Sequence, residues 1–70
     1  MPKKYEATLR DAAGRVFRMF SSDSPESAAA WFASSYRETT GRDPTEDEKK
    51  YFSDGHDVIA GGMTWELLRK

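Results

Sequence analysis

The longest regular pattern of hydrophobic and polar positions covers residues 24–41 and predicts the main helix of the chain. Ser24 is a preferred N-cap residue, Pro25 suits the first helical turn, and Gly41 favours the left-handed conformation that ends many helices. Between these signals, small and aromatic residues recur at intervals of three and four positions and form one face. This face consists of Ala28, Ala29, Phe32, Ser35, Tyr36 and Thr39, with Trp31 and Ala33 at its flanks. We expect it to pack on a β-sheet.

Two segments before this helix predict a β-hairpin. Residues 4–10 alternate between apolar and polar side chains, and residues 16–21 form the second strand. Asp11 and Gly14 suit a type I turn followed by a left-handed residue, which is typical of a hairpin closed by a bulge. The predicted pairs are Leu9 with Phe17, Ala7 with Met19, and Tyr5 with Ser21. The outer face of this hairpin would carry Glu6, Thr8, Arg10, Val16, Arg18 and Phe20.

A second and shorter helix is predicted for residues 45–53. Thr45 and Glu48 have the spacing of a capping box, in which each side chain bonds to the backbone of the other residue. Tyr51 and Phe52 are the large apolar side chains of this segment, and we expect them to anchor the helix to the core.

The end of the chain predicts a second hairpin. Apolar residues 58–60 and 63–68 are separated by Gly61 and Gly62, a pair that suits a two-residue turn with positive φ. Ala60 would then pair with Met63, although residues 58–60 are also compatible with a loop. The order β-β-α-α-β-β predicts one α+β domain over residues 1–70, with an antiparallel sheet of three or four strands and both helices on one face.

Composition narrows the class of protein. The chain has 70 residues, of which 37% are hydrophobic and 33% are charged, so a small ordered domain is expected. Cysteine is absent, which excludes disulfides and thiolate metal sites. No apolar run approaches the roughly 20 residues of a membrane span, and no signal-peptide pattern is present at the start. We therefore expect a cytoplasmic protein that does not contact membranes.

Catalysis has little support in the sequence. His56 is the only histidine, and it lies between acidic residues in the segment 54–57. One histidine with two neighbouring carboxylates falls short of the three or four ligands of a typical zinc site. The serines show no nucleophile-elbow pattern, and the Gly61–Gly62 pair lacks the lysine of a phosphate-binding loop. We expect no enzymatic activity, no cofactor and no metal ion.

Charge is unevenly distributed, although the formal net charge is only -1. Residues 37–57 contain seven acidic side chains against four basic ones, and an acidic edge of this kind can occupy a cationic groove of a partner. The expected partner-binding residues are Glu38, Asp43, Glu46, Asp47, Glu48, Tyr51, Asp54 and Asp57. A solvated face that keeps the domain soluble is the other explanation of these charges.

The first hairpin offers an alternative function. Residues 1–18 contain five basic side chains against two acidic ones, and basic residues with an aromatic among them can follow a nucleic-acid backbone. The candidate nucleic-acid-binding residues are Lys3, Lys4, Arg10, Arg15, Arg18 and Phe20. The acidic sequence pI of 5.7 argues against this alternative.

A short hairpin followed by the segment Ser-Pro-Glu-Ser-Ala-Ala at residues 24–29 and by a closing strand resembles the plan of very small phage and mobile-element proteins. HicB-like folds and several anti-CRISPR proteins share this plan. The anti-CRISPR resemblance implies a viral, stoichiometric inhibitor that binds a nucleoprotein effector in the cytoplasm of a bacterial or infected host cell. Together with the acidic edge, it favours a non-catalytic protein-binding module, which would be a monomer or a homodimer.

Overall fold

The computed structural model describes residues 3–69 and has the element order that the sequence predicts. The elements are β1 (Tyr5–Arg10), β2 (Val16–Ser22), α1 (Pro25–Thr40), α2 (Glu46–Ser53), β3 (Val58–Ala60) and β4 (Met63–Arg69). The strands form one four-stranded antiparallel sheet in the order β2-β1-β4-β3. The predicted α+β class is confirmed, and the two hairpins lie side by side through β1 and β4.

Local capping signals define both helices as predicted. The Ser24 side chain accepts a hydrogen bond from the Ser27 N–H at 3.2 Å, and Gly41 ends α1 with a φ of 79°. At the start of α2, the Thr45 N–H donates to Glu48 at 2.9 Å and the Glu48 N–H donates to the Thr45 hydroxyl at 3.2 Å. This reciprocal pair satisfies backbone donors that would otherwise lack partners in the first turn.

An aromatic cluster between the helices and one face of the sheet forms the core. Phe32 of α1 stacks on Phe52 of α2 with ring centroids 4.4 Å apart. Phe32 also meets Trp65 of β4 edge-to-face at 5.9 Å, and Tyr36 lies 5.1 Å from the Trp65 ring. Since Leu9 of β1 is buried in the same layer, each helix is held to the sheet by large apolar side chains.

A buried hydrogen bond fixes the position of Trp65. Its indole N–H donates to the Ser35 hydroxyl at 2.9 Å, and that hydroxyl donates to the Phe32 carbonyl at 3.1 Å. The buried indole N–H needs a hydrogen-bond acceptor, which explains why a polar residue, Ser35, lies on the buried face of α1.

The predicted register of the first hairpin is wrong, because none of the pairs Leu9 with Phe17, Ala7 with Met19 and Tyr5 with Ser21 forms. The turn forms as expected, with the Gly14 N–H donating to the Asp11 carbonyl at 2.9 Å and with Arg10 opposite Val16. A second bulge then follows, because Phe17 has no opposite residue on β1. The observed pairs beyond it are Leu9 with Arg18, Thr8 with Met19, Ala7 with Phe20, Glu6 with Ser21, and Tyr5 with Ser22.

This shift by one residue exchanges the two faces of β2. Phe20 lies on the helix side and stacks on Trp31 at 5.9 Å, and Arg18 reaches Glu38 of α1 at 2.8 Å. Met19 is 58% exposed on the opposite face, and Phe17 is 60% exposed at the bulge. The bulge thus lets an aromatic ring meet Trp31 and lets a cation meet a carboxylate, which the predicted register does not allow.

The face of the sheet away from the helices is open. Its side chains are Glu6, Thr8, Arg10, Val16, Met19, Ser21, Ile59, Thr64, Glu66 and Leu68. Thr8 lies at the centre, opposite Met19 and Glu66, and is only 4% exposed. Its hydroxyl has no hydrogen-bond partner within residues 3–69.

The predicted second hairpin is confirmed, whereas the buried positions predicted for the two helices are only partly correct. The second hairpin forms as expected, with Ala60 opposite Met63 and positive φ at both turn glycines. Phe52 is fully buried, but Tyr51 is 54% exposed and does not anchor α2. Thr39 is also exposed, so the buried face of α1 ends at Tyr36.

Neither helix of the described chain is long and apolar enough to cross a bilayer.

We expect Ser35→Ala to lower the free energy of unfolding by about 1–3 kcal/mol, because the buried indole N–H of Trp65 loses its acceptor. The matched control Ser34→Ala removes an exposed hydroxyl from the same helix and should change stability by less than about 0.5 kcal/mol. Urea denaturation monitored by tryptophan fluorescence measures both values. Equal effects of the two substitutions would contradict this role of Ser35.

The corrected register predicts different roles for the two phenylalanines of β2. Phe20→Ala should cost about 2 kcal/mol or more, since the half-buried ring packs on Trp31 and the core. Phe17→Ala should cost less than about 0.5 kcal/mol because that ring is largely exposed. The same denaturation measurement distinguishes the registers, since the pairing of Leu9 with Phe17 would give the opposite ranking.

Candidate functional site

The acidic residues singled out in the sequence lie along the second half of α1, the connecting loop, α2 and the loop that follows it. Several of them already have basic partners. Glu38 contacts Arg18 at 2.8 Å, and Glu46 contacts Lys49 at 3.4 Å. Asp43 lies 3.9 Å from Arg37. These exposed pairs add little stability, but they reduce the negative charge that a partner would meet.

Glu48 has a structural role within the domain. Besides the capping box, it accepts a hydrogen bond from the Tyr36 hydroxyl at 2.6 Å and lies 3.6 Å from Arg42. Its side chain is only 21% exposed. Glu48 therefore links the start of α2 to the aromatic core and is poorly placed to contact a partner.

The environment of Glu48 favours its charged form. Burial is the largest single influence and raises the pKa of this carboxyl, but the opposing effects together are larger. They come from hydrogen bonds with Thr45 and Tyr36 and from the charge of Arg42, and they hold the pKa below its usual value of 4.5. Burial and the neighbouring carboxylate raise the pKa of the Tyr36 hydroxyl, which therefore remains a donor.

Three of the predicted acidic residues remain unpaired. Asp47, Asp54 and Asp57 make no ion pair or side-chain hydrogen bond within residues 3–69. Asp47, Tyr51 and Asp54 are spaced at i, i+4 and i+7, which places them on one side of α2. We call Asp47, Tyr51, Asp54 and Asp57 the acidic stripe.

Tyr51 is the aromatic centre of this stripe. Its ring is more than half exposed and meets the ring of His56 edge-to-face at 6.2 Å. The His56 N–H donates to the Tyr51 carbonyl at 2.8 Å, so the loop folds back on the end of α2. Lys50 lies on the same side of the helix and partly offsets the negative charge.

His56 is exposed and has no set of ligands around it. In the part of the chain that is described, no group of three or more histidine and acidic side chains is placed to hold a metal ion. Its imidazole instead contacts the ring of Tyr51.

The basic residues of the first hairpin are dispersed. Lys3 lies 3.7 Å from Asp23, Arg18 is paired with Glu38, and Arg10 donates to the Gly14 carbonyl at the turn. The remaining members of the predicted set, Lys4, Arg15 and Phe20, lie before β1, at the turn and on the helix side of β2. The hairpin therefore does not present these cations and the aromatic ring on one face.

The sequence did not indicate a cleft between the hairpin tip and α1. It encloses about 400 Å³ and is lined by Asp11, Phe17, Arg18, Glu38, Thr39 and Met63. The Arg18 guanidinium lies 5.6 Å from the centre of the Phe17 ring, and its ion pair with Glu38 crosses the same region. Phe17, the residue at the bulge, is part of the lining, and the alternating pattern of β2 gives no signal for that bulge.

No family model, curated protein or solved structure matches this chain.

We expect Glu48→Gln to destabilise the domain by about 1 kcal/mol at neutral pH, because charge-assisted hydrogen bonds weaken. A carboxyl whose pKa is lower in the folded state contributes stability above its unfolded value, near 4.5, and loses this contribution as the pH falls through the folded pKa. The unfolding free energies of the two proteins should therefore converge in acid. A difference that stays constant between pH 7 and pH 3 in urea denaturation would contradict this role.

Proposed function

We propose that the chain is a non-catalytic protein-binding module that engages a cationic surface of its partner through the acidic stripe. The observation that supports this most is the division among the acidic residues. Glu38, Asp43, Glu46 and Glu48 have partners within residues 3–69, whereas the carboxylates of the stripe have none in that range. An unpaired carboxylate beside an exposed aromatic ring is available to a cation from outside.

The chemistry of the stripe suits arginine. A guanidinium can lie over the exposed Tyr51 ring, an interaction of about 0.5–1 kcal/mol at an exposed site, and can donate hydrogen bonds to a neighbouring carboxylate. Asp47 and Asp54 flank Tyr51 at one helical turn on each side. Charge complementarity of this kind increases the rate of association and selects among partners.

The stripe has a rigid support. α2 is capped at its start by Thr45 and Glu48, and Phe52 fixes it to Phe32 in the core. The Asp54 N–H donates to the Lys50 carbonyl at 2.9 Å, which holds the last turn. Because these groups are ordered before binding, little conformational entropy is lost when a partner docks.

Two further roles depend on this surface or compete with it. A stoichiometric inhibitor of a nucleoprotein effector would place its acidic residues in the cationic groove in which the effector binds nucleic acid. This role follows only from the resemblance in size and plan. Nucleic-acid binding through the first hairpin is the alternative function. Its support is weaker, because Arg18 is paired and Phe20 lies on the helix side.

A peptide with arginine at every second position tests the proposal, with the equivalent lysine peptide for comparison. We expect the largest amide chemical-shift changes in NMR titration at the acidic stripe, and weaker binding of the lysine peptide. Tyr51→Ala and Asp54→Asn should each weaken arginine-peptide binding by about two- to fivefold, because each removes one of the two interactions.

Glu46→Gln is the matched control for Asp54→Asn. It removes the same charge from α2 at a residue already paired with Lys49, so binding should change less than about twofold. Equal effects of both substitutions would mean that only net charge matters and would contradict a defined site. Tight binding of an oligonucleotide that is lost in Arg10→Ala and Arg15→Ala would favour the alternative function.

A further inference from the structure

Strand β2 is a long and uncovered edge of the sheet. It has seven residues, and β1 is its one neighbouring strand in the described range 3–69, whereas the opposite edge strand β3 has three residues. Val16, Phe17 and Met19 are among the most exposed large apolar residues of the described chain. Edge strands are usually protected by charges, proline or short length, and β2 contains one charged residue and no proline.

The backbone of β2 offers hydrogen-bonding groups to solvent. The Asp11 N–H donates to the Arg15 carbonyl at 2.9 Å, which shows that the backbone groups of Asp11 point toward β2. The direction of the backbone N–H and C=O groups alternates from one residue to the next along a strand. The backbone groups of Leu9 therefore also point toward β2, where Arg18 is the opposite residue. By the same alternation, the N–H and C=O groups of Met19 and Ser21 point away from β1 and lie at the open edge.

The bulge leaves a regular segment for pairing. Phe17 disrupts the end of β2 near the turn, but residues 18–22 pair with β1 without interruption. Phe20 is at the centre of this segment, with Met19 and Ser21 on either side. Two such segments placed antiparallel across a two-fold axis through Phe20 would match the free groups of Met19 with those of Ser21.

We propose that two copies of this chain pair antiparallel along β2 and join their sheets into one continuous sheet. Met19 of each copy exchanges backbone hydrogen bonds with Ser21 of the other. Phe20 meets Phe20 of the second copy on the helix side. This pairing is independent of the acidic stripe, which lies on α2 and the loop that follows it, and α2 packs beside the opposite edge of the sheet.

Charge complementarity supports a second copy as the occupant. Arg15 directly precedes β2 and Arg18 lies in its first half, whereas Asp23 and Glu26 follow its end. Antiparallel pairing brings the basic end of each strand beside the acidic end of the other, and parallel pairing does not. The two copies can therefore form reciprocal ion pairs, for which Arg15 has a free side chain within residues 3–69.

The core also continues toward this edge. Phe20 and Trp31 stack at 5.9 Å, and both are only partly buried in the single chain. Pairing about Phe20 covers this aromatic pair with the same pair of the second copy. The apolar contact and the backbone hydrogen bonds thus form at the same place.

Sedimentation equilibrium over a range of protein concentrations tests the proposal. The protein should be monomeric at low concentration and dimeric at high concentration, and no larger oligomer should form. Ser21→Pro removes the outward N–H and should raise the concentration needed for dimerisation by about tenfold or more. Ser21→Ala is the matched control, because it removes the same hydroxyl, keeps the N–H and should dimerise like the original chain.

Amide hydrogen exchange gives a second measurement that needs no substitution. The amides of Met19 and Ser21 should exchange rapidly in dilute protein and become at least about tenfold slower under dimer conditions. Those of Phe20 and Ser22, which face β1, should be protected at both concentrations. A chain that stays monomeric, forms another oligomer, or dimerises without protecting Met19 and Ser21 would overturn the proposal.

Discussion

The structure depends on the packing of Phe32 against Trp65, Phe52 and Tyr36 on one face of the sheet. A domain of this size has few large apolar side chains, and those that are fully buried lie in this single layer. The hydrogen bond from Trp65 to Ser35 then fixes how α1 lies across the sheet. Since both helices pack on this face, no helix or strand within residues 3–69 covers the opposite face or the edge at β2.

The core is connected to the candidate site through Tyr36 and Glu48. Tyr36 is buried beside Trp65, and its hydroxyl donates to the carboxylate that caps α2. Arg42 lies 5.1 Å from the centre of the Tyr36 ring and 3.6 Å from Glu48, so it stabilises the same link. One acidic residue therefore orders the helix, while Asp47 on that helix and Asp54 directly after it remain exposed to solvent. The acidic segment of the sequence thus has a structural part and an exposed part.

The sequence predicts the features that local interactions determine. The caps at Ser24 and Thr45 and the turn glycines act within a few residues, so the bounds of both helices and the topology of both hairpins could be predicted. The register of β2 could not be predicted. The two alternating sets of side chains in that strand both contain apolar residues, so either set could face the helices. The choice depends on Trp31 and Glu38, which contact β2 only after α1 has packed. Likewise, the division of the acidic residues into paired and unpaired depends on distant or flexible partners such as Arg18.

The positions of the two proposed surfaces have a further consequence. α2 packs on β4 and β3, whereas β2 forms the other edge of the sheet. Pairing along β2 would therefore leave both copies of the acidic stripe exposed, at the two ends of the joined sheet. A dimer of this kind presents two equivalent sites with a fixed separation, so a partner with repeated cationic elements at that spacing would bind more tightly than one with a single element. Self-association and partner binding would then reinforce each other without any change in the contacts of the stripe.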